Sequence, residues 1–424
     1  MVRNWQYVSF RANPNIKKIS RLFHLTFWTI ISFESFFAVF LFAGVFKENP
    51  RLSWFPFDIT GSFLVLSFIA GFRVIQARGW TIPRYTVPAI GAMLLLCCWA
   101  FVSLTWSPGH SYAFKKTINL TLLAFWAFLG SSVLIGPSTK RVRRFLGAVV
   151  VLAGWVSGEI TVLFLSGALL GEWEWASYYL GLGRLIGLGV LVLAGVLLWA
   201  KINRYVLALT GLVIILFFGI LLVIGGRGPF LATIGAFAVV AIRDIRFRRG
   251  FFAMKKRFLV ISMVLMSAFV SFVLWANAHI FLTTFDRLMQ LTQGGGNSAR
   301  TRFWLFEKAW QYWQTSPILG HGMGSFGLLL GWGDVKVYPH NIILEIMVEL
   351  GLIGLFIFLG IIVQSLRGIS LTRIRHDALI SVALMLTVNG LLNSFVSYDL
   401  PANRVFFAML GLVAGLLSRE SSSA

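Results

Sequence analysis

Apolar segments of about 20 residues recur along the whole chain, and this repetition restricts the fold more than any other feature of the sequence. About 20 residues is the length that an α-helix needs to cross the hydrocarbon core of a bilayer. Only 12% of the 424 residues are charged, against about 25% in soluble domains. The mean hydropathy is +0.82. The chain is therefore predicted to be an all-α integral membrane protein that forms one polytopic domain, residues 1–424.

We predict about twelve membrane spans from the ends of the apolar runs. They cover residues 22–46, 59–76, 87–106, 117–136, 145–170, 185–200, 206–224, 229–242, 258–276, 341–366, 377–396 and 405–418. The first run is too long for the apolar part of a signal peptide and lacks a small-residue cleavage site, so we expect the N-terminus to be retained.

Lysine and arginine are divided unequally between alternate loops. One set of loops carries 25 of the 37 basic residues and the other carries 12. The more basic set comprises 1–21, 73–84, 137–144, 201–204, 243–257, 367–375 and Arg419. The positive-inside rule places this set and both termini in the cytoplasm. Orientation and attraction to anionic membrane lipids explain most of the net charge of +22, so nucleic acid is not a predicted partner.

The other set of loops contains a long segment, 277–340, and the candidate chemistry is concentrated near its end. The stretch from Ser298 to Glu349 collects ionisable side chains that are scarce elsewhere in the membrane part: Arg300, Arg302, His321, Asp334, His340, Glu345 and Glu349. If the protein is an enzyme, its proton-transferring group is expected in this stretch.

Arg227 lies in the sequence VIGGRGPFLA, at the outer end of a predicted span. A charged residue in a span usually has a partner or a function, since it costs at least about 2.5 kcal/mol at a helix centre. Glycines and Pro229 break the helix there, and a guanidinium beside the amide groups of the next helix suits a phosphate. The alternative is an arginine that snorkels at a tight turn.

Arg300 and Arg302 follow the polar stretch GGGNSA and precede an amphipathic segment, residues 303–313, which is expected at the outer surface. Two arginines at a helix N-terminus are electrostatically unfavourable, which favours an external anion as their partner. The alternative is a basic start of an interfacial helix.

His340 is the candidate general base. Pro339 precedes it and Asn341 can cap the helix predicted over 341–366, so the ring is expected at the first turn. A helix N-terminus lowers the pKa of an imidazole and leaves a neutral ring that can accept a proton. Such a base typically contributes about 10²–10⁴-fold in rate. The alternative is a surface histidine that only forms hydrogen bonds.

The remaining polar residues of this stretch are interpreted as supporting or structural. Glu345 and Glu349 lie four residues apart on one helical face. Glu345 is about 140° around the helix from His340, so it is not expected to orient that ring. His321, between two glycines, is expected to be an exposed loop residue.

No metal or cofactor is predicted. The sequence contains no HExxH or DxD motif and no His/carboxylate pair at ligand spacing on a predicted helix. Cys97 and Cys98 are neighbours within an apolar run, which excludes a disulfide framework or a CxxC site.

Several short motifs occur in order along the chain. They are Leu104-Thr105-Trp106-Ser107; Gly226-Arg227-Gly228; Arg302-x-x-x-Phe306-x-x-Ala309; Pro317-Ile318-Leu319-Gly320-x-Gly322-x-Gly324-Ser325-Phe326; Tyr338-Pro339-His340-Asn341; and Glu349-x-Gly351-x-Ile353-Gly354. Together they resemble the O-antigen ligase and polymerase family, with a signature region over about 210–365. Gly226 stands where that family has Ser before the Arg, and Phe306 stands where Trp is usual.

The resemblance implies a polytopic glycosyltransferase of bacterial inner membranes, with a glycosyltransferase C-like fold and a periplasmic active site beside one long loop with short amphipathic helices. The donor would be a glycan on undecaprenyl diphosphate, transferred with inversion and without a metal. Ligases transfer it to lipid A–core, and polymerases to another lipid-linked glycan. The carried-over site consists of a base, His340; diphosphate-binding arginines, Arg227, Arg302 and Arg300; and supporting residues, Asn341, Glu345, Glu349 and Trp106.

O-antigen ligation is the favoured activity, because the short final tail and single long outer loop match the simpler family members. O-antigen or exopolysaccharide polymerases share the same motifs. A transporter or flippase of lipid-linked glycans would need charges deep in several spans and repeated halves, whereas only Glu34 and Glu159 appear deep here. A non-catalytic scaffold would leave the arginines and His340 unexplained.

Overall fold

The computed structural model describes residues 31–47, 49–165, 179–239, 243, 246–248, 251–253 and 296–419. The helices are α1 (Phe33–Phe46), α2 (Ile59–Ala77), α3 (Val87–Ser103), α4 (Ser111–Ile135), α5 (Thr139–Leu165), α6 (Tyr179–Trp199), α7 (Arg204–Val223), α8 (Arg227–Ala236), α9 (Asn297–Thr315), α10 (Phe326–Leu329), α11 (Ile342–Leu366), α12 (Leu371–His376), α13 (Ala378–Ser394) and α14 (Arg404–Leu417). Two short antiparallel strands, β1 (Arg246–Arg248) and β2 (Phe251–Ala253), pair with Arg246 opposite Ala253.

Seven of the described helices are long and apolar enough to cross a membrane: α2, α3 with its preceding turn, α4, α5, α6, α7 and α11. Three further apolar helices, α1, α13 and α14, are shorter. The all-α membrane fold predicted from the sequence is confirmed, with the two three-residue strands as an addition. The predicted span 258–276 lies outside the described residues, and the total of twelve spans stays a prediction.

Two hydrophobic clusters form the core. The larger one joins α1, part of α4, α5, α6, α7, α13 and part of α14. The second joins α3, α4, α11 and the start of α14. Because α4 and α14 contribute to both clusters, they connect the two parts of the bundle.

The loops of the bundle contact one another in two separate groups. At one end, which we call the basic end, Arg141 pairs with Glu34 at 2.9 Å and Arg419 pairs with Asp377 at 2.7 Å. The Nη2 group of Arg367 also donates to the carbonyl oxygen of Tyr85 there. These residues belong to the loops, or flank the loops, that carry most of the lysine and arginine.

At the other end, which we call the site end, the turns 104–110 and 395–403 meet the loop 316–341. The Ser107 hydroxyl donates to the carbonyl oxygen of Met323 at 2.8 Å. Asp334 accepts from the backbone N–H of Ser111 at 2.8 Å. Among the described residues, the more basic loops therefore contact one another at one end of the bundle, and the less basic loops contact one another at the other end.

Three basic residues that the sequence placed in outer loops are buried inside helices. Lys116 is in the second turn of α4, Arg184 is in the second turn of α6, and Arg404 begins α14. The predicted helix starts were wrong here because each charge has partners within the protein, so it does not end the helix at the membrane surface.

Helices α4 and α14 approach closely through small residues. Gly411 and Gly415 of α14 form a GxxxG pair, a pattern that lets helix backbones touch. A Cβ atom on Gly411 would lie 2.5 Å from the carbonyl oxygen of Phe128, and one on Gly415 would lie 2.5 Å from that of Ser132. Even a methyl group is therefore too large at this contact.

Helix α11 is broken at Gly351, whose backbone has φ 67° and ψ −167°. The loop 317–322 fills the break. Backbone N–H groups of Leu352 and His321 donate to the carbonyl oxygens of Pro317 and Val348, both at 2.9 Å. The Trp99 indole donates to the carbonyl oxygen of Leu350 at 3.0 Å. The break is tolerated because its backbone groups bond inside the protein, as they must where no water is present.

The close contact of α4 with α14 predicts a specific sensitivity to a single methyl group. Gly415→Ala should destabilise the protein by about 1–3 kcal/mol, because the added carbon meets backbone atoms that cannot move aside. Thermal unfolding of detergent-purified protein measures this effect. Gly219→Ala is the matched control, because a Cβ atom there meets nothing within 4 Å. Equal melting temperatures for the two variants would contradict the packing described.

Candidate functional site

His340 lies directly before α11 in a conformation that is rare for this residue type. Its φ is 60°, in the left-handed region. Asn341 is the N-cap and its side chain accepts from the N–H groups of Ile343 and Leu344, as predicted. The imidazole packs 4.5 Å from the Tyr338 ring, and its buried Nδ1 atom has no hydrogen-bond partner among the described residues. Backbone outliers of this kind cluster at functional sites.

The ring of His340 is kept neutral. Its pKa is lowered to about 4, mainly by burial and also by the nearby charge of Arg302, while Asp399 opposes the shift. The pKa shifts in the direction predicted from the sequence. Its main cause is burial, however, and not the helix N-terminus that Asn341 caps. The ring is therefore a proton acceptor at neutral pH, with one nitrogen atom that no described residue bonds.

The helix α9 separates the two arginines that the sequence treats as a pair. Residues two apart on an α-helix point about 200° away from each other. Arg302 is half-buried and close enough to His340 to act on its pKa, whereas Arg300 is exposed. Helix α9 buries Leu305 and Ala309 against the protein, whereas Phe303, Trp304 and Trp310 of the same segment are exposed.

Arg227 is the first residue of α8, after Gly226 as N-cap, and is half-buried. This short helix packs against α6 and α13. A Cβ atom on Gly183 of α6 would lie 3.0 Å from Pro229, and one on Gly228 would lie 3.0 Å from Val396. Arg227 therefore lies at the site end, next to the second turn of α6 and the turn that follows α13.

Arg184 occupies that turn of α6. Its Nη2 group donates to the carbonyl oxygens of Asn393 at 2.9 Å and Ser397 at 3.1 Å, and its guanidinium lies 4.0 Å from the centre of the Tyr398 ring. Arg302 and Tyr338 lie within its electrostatic range. The charge of Arg184 suggests a loop in the sequence, so its role in the site was not predicted. The apolar residues YYLGLG before it are the signal that it belongs to a helix.

Tyr338 lies close to both Arg184 and His340. Burial raises the pKa of its phenol, and the charges of Asp399, Glu345 and Tyr398 add to the shift while Arg184 opposes it. The phenol therefore stays protonated and can donate a hydrogen bond. Arg184, Arg302, Tyr338 and His340 thus belong to one electrostatic neighbourhood.

A buried ion network lies beneath this group. The Lys116 ammonium is 2.6 Å from Glu345 and 2.7 Å from Glu349, and all three side chains are almost fully buried. Glu345 also accepts from the backbone N–H of Leu400 at 2.9 Å. The network ties α4 to α11 and to the turn 395–403. Because Glu345 is engaged in this network, it does not orient the ring of His340, which agrees with the prediction. Lys116 is a partner of the two glutamates that the sequence did not reveal.

Two aspartates hold the turns around the site. Asp334 accepts from three N–H groups at the start of α4, those of residues 110–112, and so replaces a local helix cap. Asp399 lies 3.3 Å from the Tyr112 hydroxyl and 3.4 Å from the Lys336 ammonium. Both pairings join segments that are more than 60 residues apart in the chain.

The loop 317–326 threads between α11 and the start of α4. Cβ atoms on Gly320, Gly322 and Gly324 would lie 2.5–2.7 Å from atoms of Glu349, Ser107 and Ala113, and all three glycines have positive φ. These glycines therefore let the loop lie against neighbouring segments at distances that leave no room for a Cβ atom.

His321 is not the exposed loop residue that was expected. It is half-buried, and its Nε2 atom lies 2.9 Å from the carbonyl oxygen of Tyr312 and 3.0 Å from the Thr315 hydroxyl. The reason is that its loop inserts into the break in α11. Trp106 is half-buried, 5.5 Å from the Trp99 ring, and its indole nitrogen has no hydrogen-bond partner among the described residues.

These features define a multi-pass α-helical membrane protein with a neutral imidazole and several cations gathered at one end. Residues 212–359 match the model of the O-antigen ligase family. The matched segment contains Arg227, Arg302 and His340, whereas Lys116 and Arg184 lie before it.

One relative shares part of the chain. A Rickettsia conorii protein provisionally named a polysaccharide ligase is 31% identical over 96 residues, which is 20% of this chain. The match spans 23% of the length of that relative.

The buried ion network predicts that Lys116 is needed for folding. Lys116→Met leaves two buried carboxylates without a cation, which should cost about 3–5 kcal/mol. The variant with Lys116→Met, Glu345→Gln and Glu349→Gln together should recover much of that loss, since no net charge is then buried. The yield and melting temperature of the purified protein measure both effects. Lys115→Met, an exposed neighbour, is the matched control; a melting temperature for Lys116→Met equal to this control would refute the prediction.

Proposed function

We propose that this protein is an inverting, metal-independent glycosyltransferase that moves a glycan from undecaprenyl diphosphate to an acceptor hydroxyl. The observation that carries the proposal is the neutral His340 ring beside Arg302, directly before a membrane-spanning helix. The family match supports a glycan-transferring enzyme of the O-antigen ligase type.

His340 acts as the general base. The acceptor hydroxyl gives its proton to the imidazole as its oxygen attacks the anomeric carbon of the donor, and the bond from that carbon to the diphosphate oxygen breaks. Attack from the face opposite the leaving group inverts the anomeric centre. The buried, unpartnered Nδ1 atom and the lowered pKa support this role, because a base must be unprotonated before it can act.

Arg227 and Arg302 bind the diphosphate and stabilise the charge that grows on it. Each charge-assisted hydrogen bond contributes about 1.5–3 kcal/mol, so two guanidinium groups can supply a useful part of the reduction in barrier. The N–H groups at the start of α8 add positive potential beside Arg227. Asn341 supports His340 by capping α11, and Glu345 and Glu349 support the site through Lys116.

The position of the site suits a lipid-linked donor, because the undecaprenyl tail can stay in the bilayer while the sugars remain in water. The alternation of loop charge supports a periplasmic location for the site end and a cytoplasmic location for the basic end and both termini, in a bacterial inner membrane. The acceptor is most simply lipid A–core, as in O-antigen ligation; another lipid-linked glycan would make the enzyme a polymerase.

Substitution of the proposed base and arginines tests the function. In a strain that lacks the gene, His340→Ala should reduce transfer by about 10²–10⁴-fold, and Arg227→Ala or Arg302→Ala by at least about 10²-fold. Lipopolysaccharide gels give the readout. Loss of all capped bands in the empty strain indicates a ligase, and retention of bands with one repeat indicates a polymerase.

Arg300→Ala is the matched control, because this arginine is exposed and on the other side of α9, and a much smaller loss is expected. All variants must reach the membrane in equal amounts by immunoblot. Near wild-type transfer by His340→Ala would remove the base assignment.

The lowered pKa of His340 predicts different pH profiles for the free enzyme and its donor complex. The base is lost as pH falls through its pKa, so kcat/KM should fall only near the free-enzyme value of about 4. Bound diphosphate offsets the charge of Arg302, which raises the pKa, so the acid limb of kcat should lie at higher pH. Initial rates at varied donor concentration measure both limbs. Coincident limbs, or a kcat/KM limb at the ordinary histidine value, would contradict the described surroundings of the ring.

A further inference from the structure

Arg184 is a buried cation whose hydrogen-bonding capacity is only partly used. Only 8% of the residue is exposed. Its Nη2 group donates to two backbone carbonyl oxygens. The buried Nε atom has no hydrogen-bond partner, and the Nη1 group forms no hydrogen bond with any described residue. Part of its planar donor fork is therefore available.

Among the described residues, no carboxylate neutralises the charge of Arg184. Its electrostatic neighbours are the rings of Tyr398 and Tyr338 and a second cation, Arg302. The aspartate that follows Tyr398 in the chain, Asp399, is engaged by Lys336 and Tyr112. A buried charge without a counterion is costly, and in membrane proteins it generally marks a ligand or ion site.

Arg184 lies close to the segments that carry the other two arginines of the site. Its neighbour Gly183 packs against Pro229, two residues from Arg227, with only 3.0 Å from a Cβ atom to the proline. On its other side, Arg302 lies within its electrostatic range. The second turn of α6 therefore lies beside the start of α8, and Arg184 and Arg302 are two like charges that repel unless an anion joins them.

We propose that Arg184 is a third anion-binding arginine, which contacts the diphosphate of the donor together with Arg227 and Arg302. This inference rests on the proposed function. A diphosphate presents two phosphoryl groups, and planar guanidinium forks match phosphate oxygens better than ammonium groups do. The carbonyl oxygens of Asn393 and Ser397 and the Tyr398 ring hold the Arg184 fork in place before the lipid arrives.

Binding of two undecaprenyl lipids tests the proposal. Wild-type protein and Arg184→Lys in detergent are titrated with undecaprenyl diphosphate and with undecaprenyl phosphate, and dissociation constants are taken from tryptophan fluorescence. Arg184→Lys keeps the charge but loses the fork. We expect at least tenfold weaker binding of the diphosphate, a smaller change for the monophosphate, and hence a loss of preference for the diphosphate.

Arg243→Lys is the matched control. Arg243 is also buried against an aromatic ring, Trp199, and donates to the carbonyl oxygens of Ile374 and Asp377, but at the basic end. This control should lower the melting temperature while leaving both dissociation constants unchanged. A purely structural role for Arg184 would give the same result in Arg184→Lys, and that outcome would overturn the proposal.

The outcomes separate this inference from the proposed function. If wild-type protein does not bind undecaprenyl diphosphate, the proposed function fails and this inference fails with it. If Arg227→Ala weakens binding and Arg184→Lys does not, only this inference fails. Should Arg184→Lys not fold, an electron cryomicroscopy structure of wild-type protein with undecaprenyl diphosphate decides: a phosphate oxygen within about 3.2 Å of the Arg184 guanidinium supports the proposal, and a separation by protein atoms overturns it.

Discussion

Backbone hydrogen bonding inside the lipid is the constraint on which the site end depends. Helix α11 breaks at Gly351, and the N–H and carbonyl groups released there cannot bond to water. The loop 317–322 supplies their partners, and the Trp99 indole takes one more. To reach the break the loop must pass against backbone atoms, which only glycine at positions 320 and 322 permits. The same break sets the direction of the helix segment that begins after His340.

The ion network of Lys116 fixes the other side of this arrangement. One ammonium group bonds two carboxylates of α11, and one of these also holds the turn after α13 through Leu400. Such a network is costly to assemble in a medium of low dielectric constant, but once assembled it allows few alternative packings, because any displacement leaves a charge unpaired. The turn that it holds continues into Tyr398 and Asp399, which face the candidate arginines and His340. The position of the base is thus determined by contacts of residues that do not react.

The distribution of charge at the site end explains why cations can gather there. Lys336 is offset by Asp399 and Lys116 by two glutamates, whereas Arg184 has aromatic rings and carbonyl oxygens as its partners. An excess of positive charge beside a neutral imidazole suits a substrate that arrives with negative charge and leaves with more. It also lowers the proton affinity of His340 until that substrate binds. The positions of the cations in this site therefore affect the pKa of His340.

The lengths of the hydrophobic runs were sufficient to predict the all-α membrane fold, and the alternation of loop charge was sufficient to predict the two ends of the bundle. Each of these features depends only on how a single segment interacts with lipid and water. Local motifs likewise predicted the cap at Asn341 and the glycine loop, since cap and turn chemistry act over a few residues. Lys116 and Arg184 were assigned to loops, and His321 to an exposed position. Those assignments failed because the cost of burying a charge or a polar ring depends on its partners, here Glu349, Tyr398 and Tyr312. These partners are distant in the chain or are reached only through the folded loop. Contacts of that kind, and the approach of Arg184 on α6 to Arg302 on α9, are determined by packing alone.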